Sequence, residues 1–403
     1  MSSGADKQVH PVVIVGAGPV GLVAALSLAA RGVPSVVLER ETRAPTDLRA
    51  STFHPPTLDL LEALDLTAPI LAGGLRVPEW QVRQHETHER AVFDLSVLAR
   101  DTRHPYRVQF EQADFCALLL RRAGDCDAID LRRGQVVEQI EQQADRVTLD
   151  VAMNGDRQRL QARWVIAADG ASSTLREALG LNFAGLTYPE TTLLATTRFP
   201  FEDHLPGLSW VNHVWYAQGT FSLLRVPDRW RISLYPADGE IVAAALRPER
   251  LQSRLQEIVP NPGGYEIIEA RPYRIHQRIL DCYRAGRVLF AGDAAHLNSP
   301  SGGMGMNCGI HDAVNLAEKL AAVLAGGDES LLDLYDRQRR PIAREEILKQ
   351  ADGNRRRMQQ RDPAWRRREL ARLQAIAADR DAAREFLLRS SMISGLRKAA
   401  AMT

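Results

Sequence analysis

The sequence predicts an α/β protein: a dinucleotide-binding domain on a parallel sheet, interrupted by a strand-rich antiparallel insert and followed by a helical tail. Three observations predict it. Clusters of glycine and acid, GAGPVG at 16–21, ADGAS at 168–172 and GDAAH at 292–296, each follow a short apolar run with strand pattern. Between the second and third clusters, residues 193–199, 210–217, 221–226 and 230–235 alternate like antiparallel strands, with a turn at Pro227-Asp228. Near the end, Asp362-Pro363 has the form of a helix N-cap and first-turn proline, and Trp365, Leu370, Leu373 and Ile376 form an apolar stripe.

The 403 residues, 45% of them hydrophobic, suffice for a large core in two or three domains. Lys and Arg number 51 against 50 Asp and Glu, so global charge points to neither nucleic acid nor an anionic membrane. A small-molecule enzyme fits better. Cys116, Cys126, Cys282 and Cys308 form no CxxC pair, which predicts reduced thiols, a cytoplasmic protein and no metal site.

Residues 12–30 are apolar enough to imitate a membrane span or a secretory signal. Gly16, Gly18, Pro19 and Gly21 interrupt them, however, and a second strand restarts at 35–38, so the pattern is a buried strand–turn–helix–strand and no integral membrane segment is expected. Residues 11–15 form the strand and 22–31 carry helical periodicity, the context that a GxGxxG motif requires. Gly16 permits the tight turn, Gly18 lets backbone approach a pyrophosphate, and Gly21, after Pro19 and Val20, lets the helix pack on the strand. Glu39, near the expected offset of about 20 residues and followed by Arg40, can accept hydrogen bonds from both ribose hydroxyls of an adenosine. This unit suits FAD and NAD equally.

Two later strands, 164–168 and 286–291, run into Asp169-Gly170 and Gly292-Asp293, where a carboxylate next to glycine can bind a sugar hydroxyl or reach a phosphate through water. With DGASSTLRE at 169–177 and GDAAHLNSPSGGMGMNCGIHDAVNLAEKL at 292–320, the chain resembles the class A flavoprotein monooxygenases, aromatic hydroxylases similar to para-hydroxybenzoate hydroxylase. The resemblance covers most of the chain; residues 183–275 match only as a strand-rich insert. It implies a Rossmann-like FAD-binding domain at 1–75, 105–182 and 276–353, a substrate domain at 76–104 and 183–275, and a C-terminal helical segment at 354–403.

Roles follow from the resemblance. Glu39 would hold the adenosine ribose, Arg49 would reach the pyrophosphate, Gln112 in FEQADF would lie along the ribityl chain and Asp293 would bind its hydroxyls. Asp169 and Gly170 would serve FAD and the use of NAD(P)H, with Arg176 anchoring their loop, and Pro300 would sit over the flavin ring. The activity implied is NAD(P)H- and O2-dependent hydroxylation of a small phenolic, aromatic-acid or heteroaromatic substrate through a flavin C4a-hydroperoxide. Three alternatives share the fold. A halogenase would show a WxWxIP stretch, which 209–215 lacks. An FAD dehydrogenase or reductase without oxygen insertion stays open, and a cofactor-free scaffold disagrees with Asp293 and the glycine-rich loop after it.

That loop also has a direct reading. Gly302, Gly303 and Gly305 permit conformations closed to other residues, and a helix over 311–320 places the amides near Met306 and Asn307 at its N-terminus. Aimed at a reduced flavin, these donors would contribute about 0.3 to 2 kcal/mol. Asp312 and Asn315 read as a cap or a solvated helix face, and His296 as structural rather than catalytic.

In the insert, a hairpin around Pro227-Asp228 puts Phe221, Leu223, Trp230, Ile232 and Leu234 on one face and Thr220, Ser222, Arg231, Ser233 and Tyr235 on the other. His213, Tyr216, Arg225, Arg231 and Tyr235 are the candidates for gripping a phenol or carboxylate. Asn154-Gly155 reads as a hairpin turn. From 354 onward 13 basic residues face 5 acidic ones, yet no aromatics alternate with the arginines to stack bases. The tail is therefore expected to cover the FAD domain or a dimer surface, in a monomer or homodimer.

Overall fold

In the computed structural model, which describes residues 8–43, 50–153, 155–237 and 239–403, strand Val9–Val15 lies inside an eight-stranded sheet. Its β-branched core, Val12 to Ile14, is fully buried on both faces, the pattern of a parallel strand covered by helices. Ser35–Glu39 and Asp156–Ala167 flank it in parallel, pairing Val15 with Leu38 and with Ala167. Val288–Phe290 extends the sheet, its Phe290 beside Ala167. The three glycine clusters and Glu39 thus leave adjacent parallel strands at one carboxyl edge, where such sheets bind ligands.

The helix after the first strand runs Pro19–Ala29, starting earlier than the periodicity suggested, because Pro19 at its first turn has the right φ and needs no N–H partner. Asp156–Ala167 is likewise longer than the expected strand. Its first half pairs with Val147–Met153 across a turn in which Gly155 has φ +91°, while Asn154 lies outside the described residues.

The second sheet, also of eight strands, contains Glu79–Gln84 and Arg90–Asp94 together with the strands between Phe183 and Leu280. Gly219–Val226 and Arg229–Leu234 form the expected hairpin, closed by Val226 opposite Arg229. Phe221, Leu223, Trp230, Ile232 and Leu234 pack together on one face, beneath helix Pro248–Ile258. Its other face presents Trp80, Val211 and Trp215 to the tail.

Asp362 caps helix Pro363–Ala378 by accepting from Ala364 N and Trp365 N. Leu370 and Leu373 then meet Trp80, Phe93 and Trp215, and Phe386 stacks on Phe93 at 4.7 Å. The tail therefore covers the antiparallel sheet rather than the dinucleotide domain. Only its end reaches the latter's helices, where Gln338 Nε2 donates to Met402 O (2.8 Å). Among the described residues no helix is long and apolar enough to cross a membrane.

Candidate active site

The carboxyl edge of the parallel sheet is shaped by close approach. Gly16 has φ +105°, and a side chain on it would strike the Ala168 carbonyl; one on Gly21 would strike the Gly16 carbonyl. Gly18 has ordinary helix-compatible φ and open space where a Cβ would be. Glu39 is held at its strand end, accepting from Ala17 N (2.7 Å) and Glu41 N (2.9 Å). The Arg40 side chain is exposed beside Glu41, and Arg49 lies outside the described residues. Gln112 opens helix Gln112–Gly124 and is clamped to Ala50, whose N–H donates to Gln112 Oε1 (3.3 Å).

Asp169 Oδ2 accepts from Leu175 N (3.2 Å), while Oδ1 is enclosed with no hydrogen-bond partner. Burial pushes this carboxyl above the usual range. Gly170 turns the chain at φ +83°, and Arg176 ties the two later loops together by donating to Ala171 O (2.6 Å) and Ala294 O (3.2 Å). Asp293 is exposed on the turn Gly292–Ala294.

Pro300 is exposed at the start of the next loop, in which Gly302 and Gly303 have φ +107° and +66°. The helix begins at Gly305, six residues before the expected start at 311, and runs to Leu324. A Cβ on Gly305 would lie 3.1 Å from Asn298 Oδ1, and one on Gly309 only 3.0 Å from Gly292 Cα, so both serve close packing. Cys308 N–H makes the first bond of the i→i−4 series, to Met304 O (2.8 Å), and the amides of Gly305, Met306 and Asn307 precede it at the loop.

The Asn307 side chain staples this loop to the 52–54 segment. It accepts from His54 N (2.9 Å) and donates to Thr52 O and Gly303 O (2.8 Å each). His54 Nε2 bonds Gly302 O at 2.9 Å, and burial followed by Arg107 pushes its pKa well below the usual histidine value.

Asp312 is not on a solvated face. It is fully buried and accepts from Gly292 N (3.2 Å), His296 Nε2 (2.8 Å) and Arg339 Nε (2.7 Å). Burial opposes charge on these groups; Arg339 and His296 nonetheless hold the Asp312 carboxyl below its usual range. His296 is pushed well above its ordinary value against burial, by Cys308 and Asp312. His296, Cys308 and Asp312 offer donor atoms within 4.8 Å of one another, but the Arg339 guanidinium occupies the cluster, 3.5 Å from Cys308 Sγ. With that cation in place the cluster is a buried ionic support beneath the loops. Asn315, half-buried, donates to Gln338 Oε1 (3.0 Å).

A cavity of about 340 Å³ opens between Ser301-Gly302 and the antiparallel sheet, with Trp80, Val82, Arg107 and His213 in its wall. Its other side is helical. Ser330–Ile342 widens into a π-helical turn at Ala343–Leu348 before Lys349–Gln359, and this stretch supplies Glu345, Glu346, Asn354 and Arg357. Such widened turns recur at functional sites. His213 lies edge-on to Trp80 (6.0 Å) and its pKa is pulled down to about 4 by burial, then by Arg107 and Arg357.

The other insert candidates are not brought here. Tyr216 points to the opposite face of the sheet, its hydroxyl accepting from Arg254 (2.6 Å). Arg225 shares that face, 3.6 Å from Glu202 and over the Trp230 ring. Arg231 forms a buried ion pair with Glu111, and Tyr235 lines a second cavity of about 450 Å³ with Arg254 and Thr220.

Comparison with known proteins gives a match to the FAD binding domain family over residues 9–350. The chain belongs to this family. Para-nitrophenol 4-monooxygenase of Pseudomonas sp. strain WBC-3 is 36% identical over 393 residues, spanning 96% of each protein. 6-Hydroxy-3-succinoylpyridine 3-monooxygenase of Pseudomonas putida strain DSM 28022 / S16 is 32% identical over 354 residues, 87% of this chain and 90% of that protein. The crystal structure of p-nitrophenol 4-monooxygenase PnpA from Pseudomonas putida DLL-E4 superposes with a TM-score of 0.90 at 34% identity, covering 96% of this chain and 98% of that one.

The protein is thus an FAD-dependent aromatic monooxygenase, and the dehydrogenase and scaffold alternatives fall away. NAD(P)H is the co-substrate typical of the family. The residues present fit the flavin: open space at Gly18 beside a helix N-terminus, an enclosed unpartnered Asp169 Oδ1, and loop amides at Gly305–Asn307. In this flavoprotein the residues missed by sequence reasoning are His54, Arg107 and Arg339. Each stands outside any glycine motif and acts on partners far along the chain, so no local signal marked it.

Proposed function

We propose that the protein hydroxylates the ring of a small phenol, using NAD(P)H and O2, with the ring held in the cavity bounded by Trp80, Val82, His213 and Gly302. The observation that carries this reading is the cavity's position, with the Ser301-Gly302 turn of the flavin loop on one side and aromatic sheet residues on the other. The para-nitrophenol relatives support a compact phenol as substrate. FAD, when bound, would supply the redox chemistry between NAD(P)H, O2 and the ring.

The chain's own residues do the rest. The amides of Gly305, Met306 and Asn307 would stabilise negative charge on the flavin, and Asn307 and His54 keep the loop in shape. Gly16, Gly18, Pro19, Val20, Gly21, Glu39 and Asp169 would hold the adenosine and pyrophosphate side of FAD, Asp293 its ribityl hydroxyls, and Pro300 would border its ring. His213, its pKa pulled down to about 4, stays uncharged at this wall and can accept a hydrogen bond from the substrate hydroxyl. Trp80, Val82 and Met358 exclude water. The division into FAD, substrate and tail segments at 1–75, 105–182 and 276–353, at 76–104 and 183–275, and at 354–403 belongs to the same reading. So does a cytoplasmic location, supported by four cysteines without a disulfide.

The test is to compare NADH and NADPH oxidation by the FAD-loaded protein with and without a panel of phenols, and to look by mass spectrometry for a product gaining one oxygen. Nucleotide oxidation without oxygenated product from any phenol would overturn the proposal.

A further inference from the structure

Arg107 lines the cavity from strand Arg107–Gln109, and its side chain is nearly enclosed, 4% exposed. The other arginines in that wall each have a carboxylate: Arg357 and Arg372 share Glu369, at 3.0 and 2.8 Å, and Arg389 meets Glu385 at 3.1 Å. Among the described residues Arg107 has no such partner, and its Nε is buried without a hydrogen bond. Its guanidinium lies over the Trp80 ring, 5.3 Å from the centroid. Burial alone pulls its pKa to about 10, so it stays charged at neutral pH. A guanidinium buried without a counter-ion is costly, and an anion entering the cavity beside it relieves that cost.

We propose that Arg107 is the anion anchor of this cavity: it binds the negatively charged substituent of an aromatic ligand and selects ionised aromatics over neutral ones of the same shape. The proposal rests on the reading of this cavity as the substrate site. The charge is that of a phenolate or a carboxylate on a compact ring, which packs against Trp80 and Val82 while His213 stands at the same wall. Arg107 thereby also sets the protonation state in which a phenol is held.

The experiment uses the FAD-loaded wild type and the variants Arg107→Gln and Arg107→Lys with three probes: 4-nitrophenol, whose colour reports its ionisation, benzoate, and uncharged nitrobenzene. The wild type is expected to hold 4-nitrophenol as its anion below the probe's solution pKa, and to prefer an anionic probe over nitrobenzene by about ten-fold or more. Preference for 4-nitrophenol or for benzoate distinguishes phenolate from carboxylate. Arg107→Gln should lose that preference and the ionisation shift while its FAD content and nitrobenzene affinity stay unchanged, and Arg107→Lys should keep part of both. An undiminished anion preference in Arg107→Gln overturns the proposal, as does equal weakening for charged and neutral probes. Should Arg107→Gln not fold, Arg107→Lys decides: retained anion preference supports the anchor, and its loss with FAD in place overturns it. Arg107-dependent anion binding with no oxygenated product from any phenol would sink the hydroxylation reading alone.

Discussion

His296 Nε2 stands 2.8 Å from Asp312 Oδ2, with neither side chain more than 1% exposed. The same carboxylate takes Arg339 Nε and the Gly292 amide, so one buried group joins the third glycine turn, the strand after it and two helices. Asp312→Ala would leave two cations enclosed without a counter-charge. The expected loss is about 3–5 kcal/mol of stability, read as a lower unfolding midpoint with earlier FAD release. An unchanged midpoint would show that the cluster carries little of the loop's stability.

Gly18 and Gly21 separate two roles that one motif combines. Gly21→Ala drives a methyl into the Gly16 carbonyl, so it should fold poorly or lose the strand–helix contact. Gly18→Ala meets nothing in the protein and has compatible φ, so its apo stability should stay within about 0.5 kcal/mol of wild type. Its FAD affinity should nonetheless fall, because the methyl occupies the approach to the helix N-terminus. Equal FAD affinity in Gly18→Ala and wild type would argue that no phosphate comes close there.

His54, His213 and His311 all have lowered pKa values, the last two about 4 and about 3, with burial as the leading cause. Below the unfolded value of about 6.5 the unfolded chain takes up protons that the folded chain refuses. Stability therefore falls as pH drops from about 6.5 towards 4, by up to about 1.4 kcal/mol per pH unit for each histidine. His311→Gln, which can keep the bond to Thr57 Oγ1, should remove one histidine's share of that slope in denaturation curves taken across this range. An identical slope in the variant would count against a neutral buried His311.

Arg231 and Glu111 pair across the contact between the antiparallel sheet and the helix that Gln112 opens. Arg231→Leu strands the Glu111 carboxylate and should cost about 3–5 kcal/mol, whereas Glu111→Gln combined with Arg231→Leu should recover most of it. Additive losses in the double variant would mean that the two residues do not act as a pair.

The motif-bearing half of the site was readable because turn and strand chemistry is local. Gly16 needs its positive φ whatever surrounds it, and Pro227-Asp228 closes a two-residue turn between strands that carry their own alternation. The supports were not readable for the opposite reason. Asn307 meets His54 across 253 residues and His54 meets Gly302 across 248, and nothing in either neighbourhood announces the other. Asp312 read as solvated because one helical stripe does not reveal that a second helix brings Arg339 to it.

By itself the sequence determined the parallel sheet, the nucleotide edge and the alternation of the insert, since each depends on residues within one strand and one turn. Tertiary structure alone decided which face of the insert meets the flavin loop. Alternation places His213 and Tyr216 on opposite faces, but only the packing of helix Pro248–Ile258 on one side and of Lys349–Gln359 on the other sends His213 to the cavity and Tyr216 away from it.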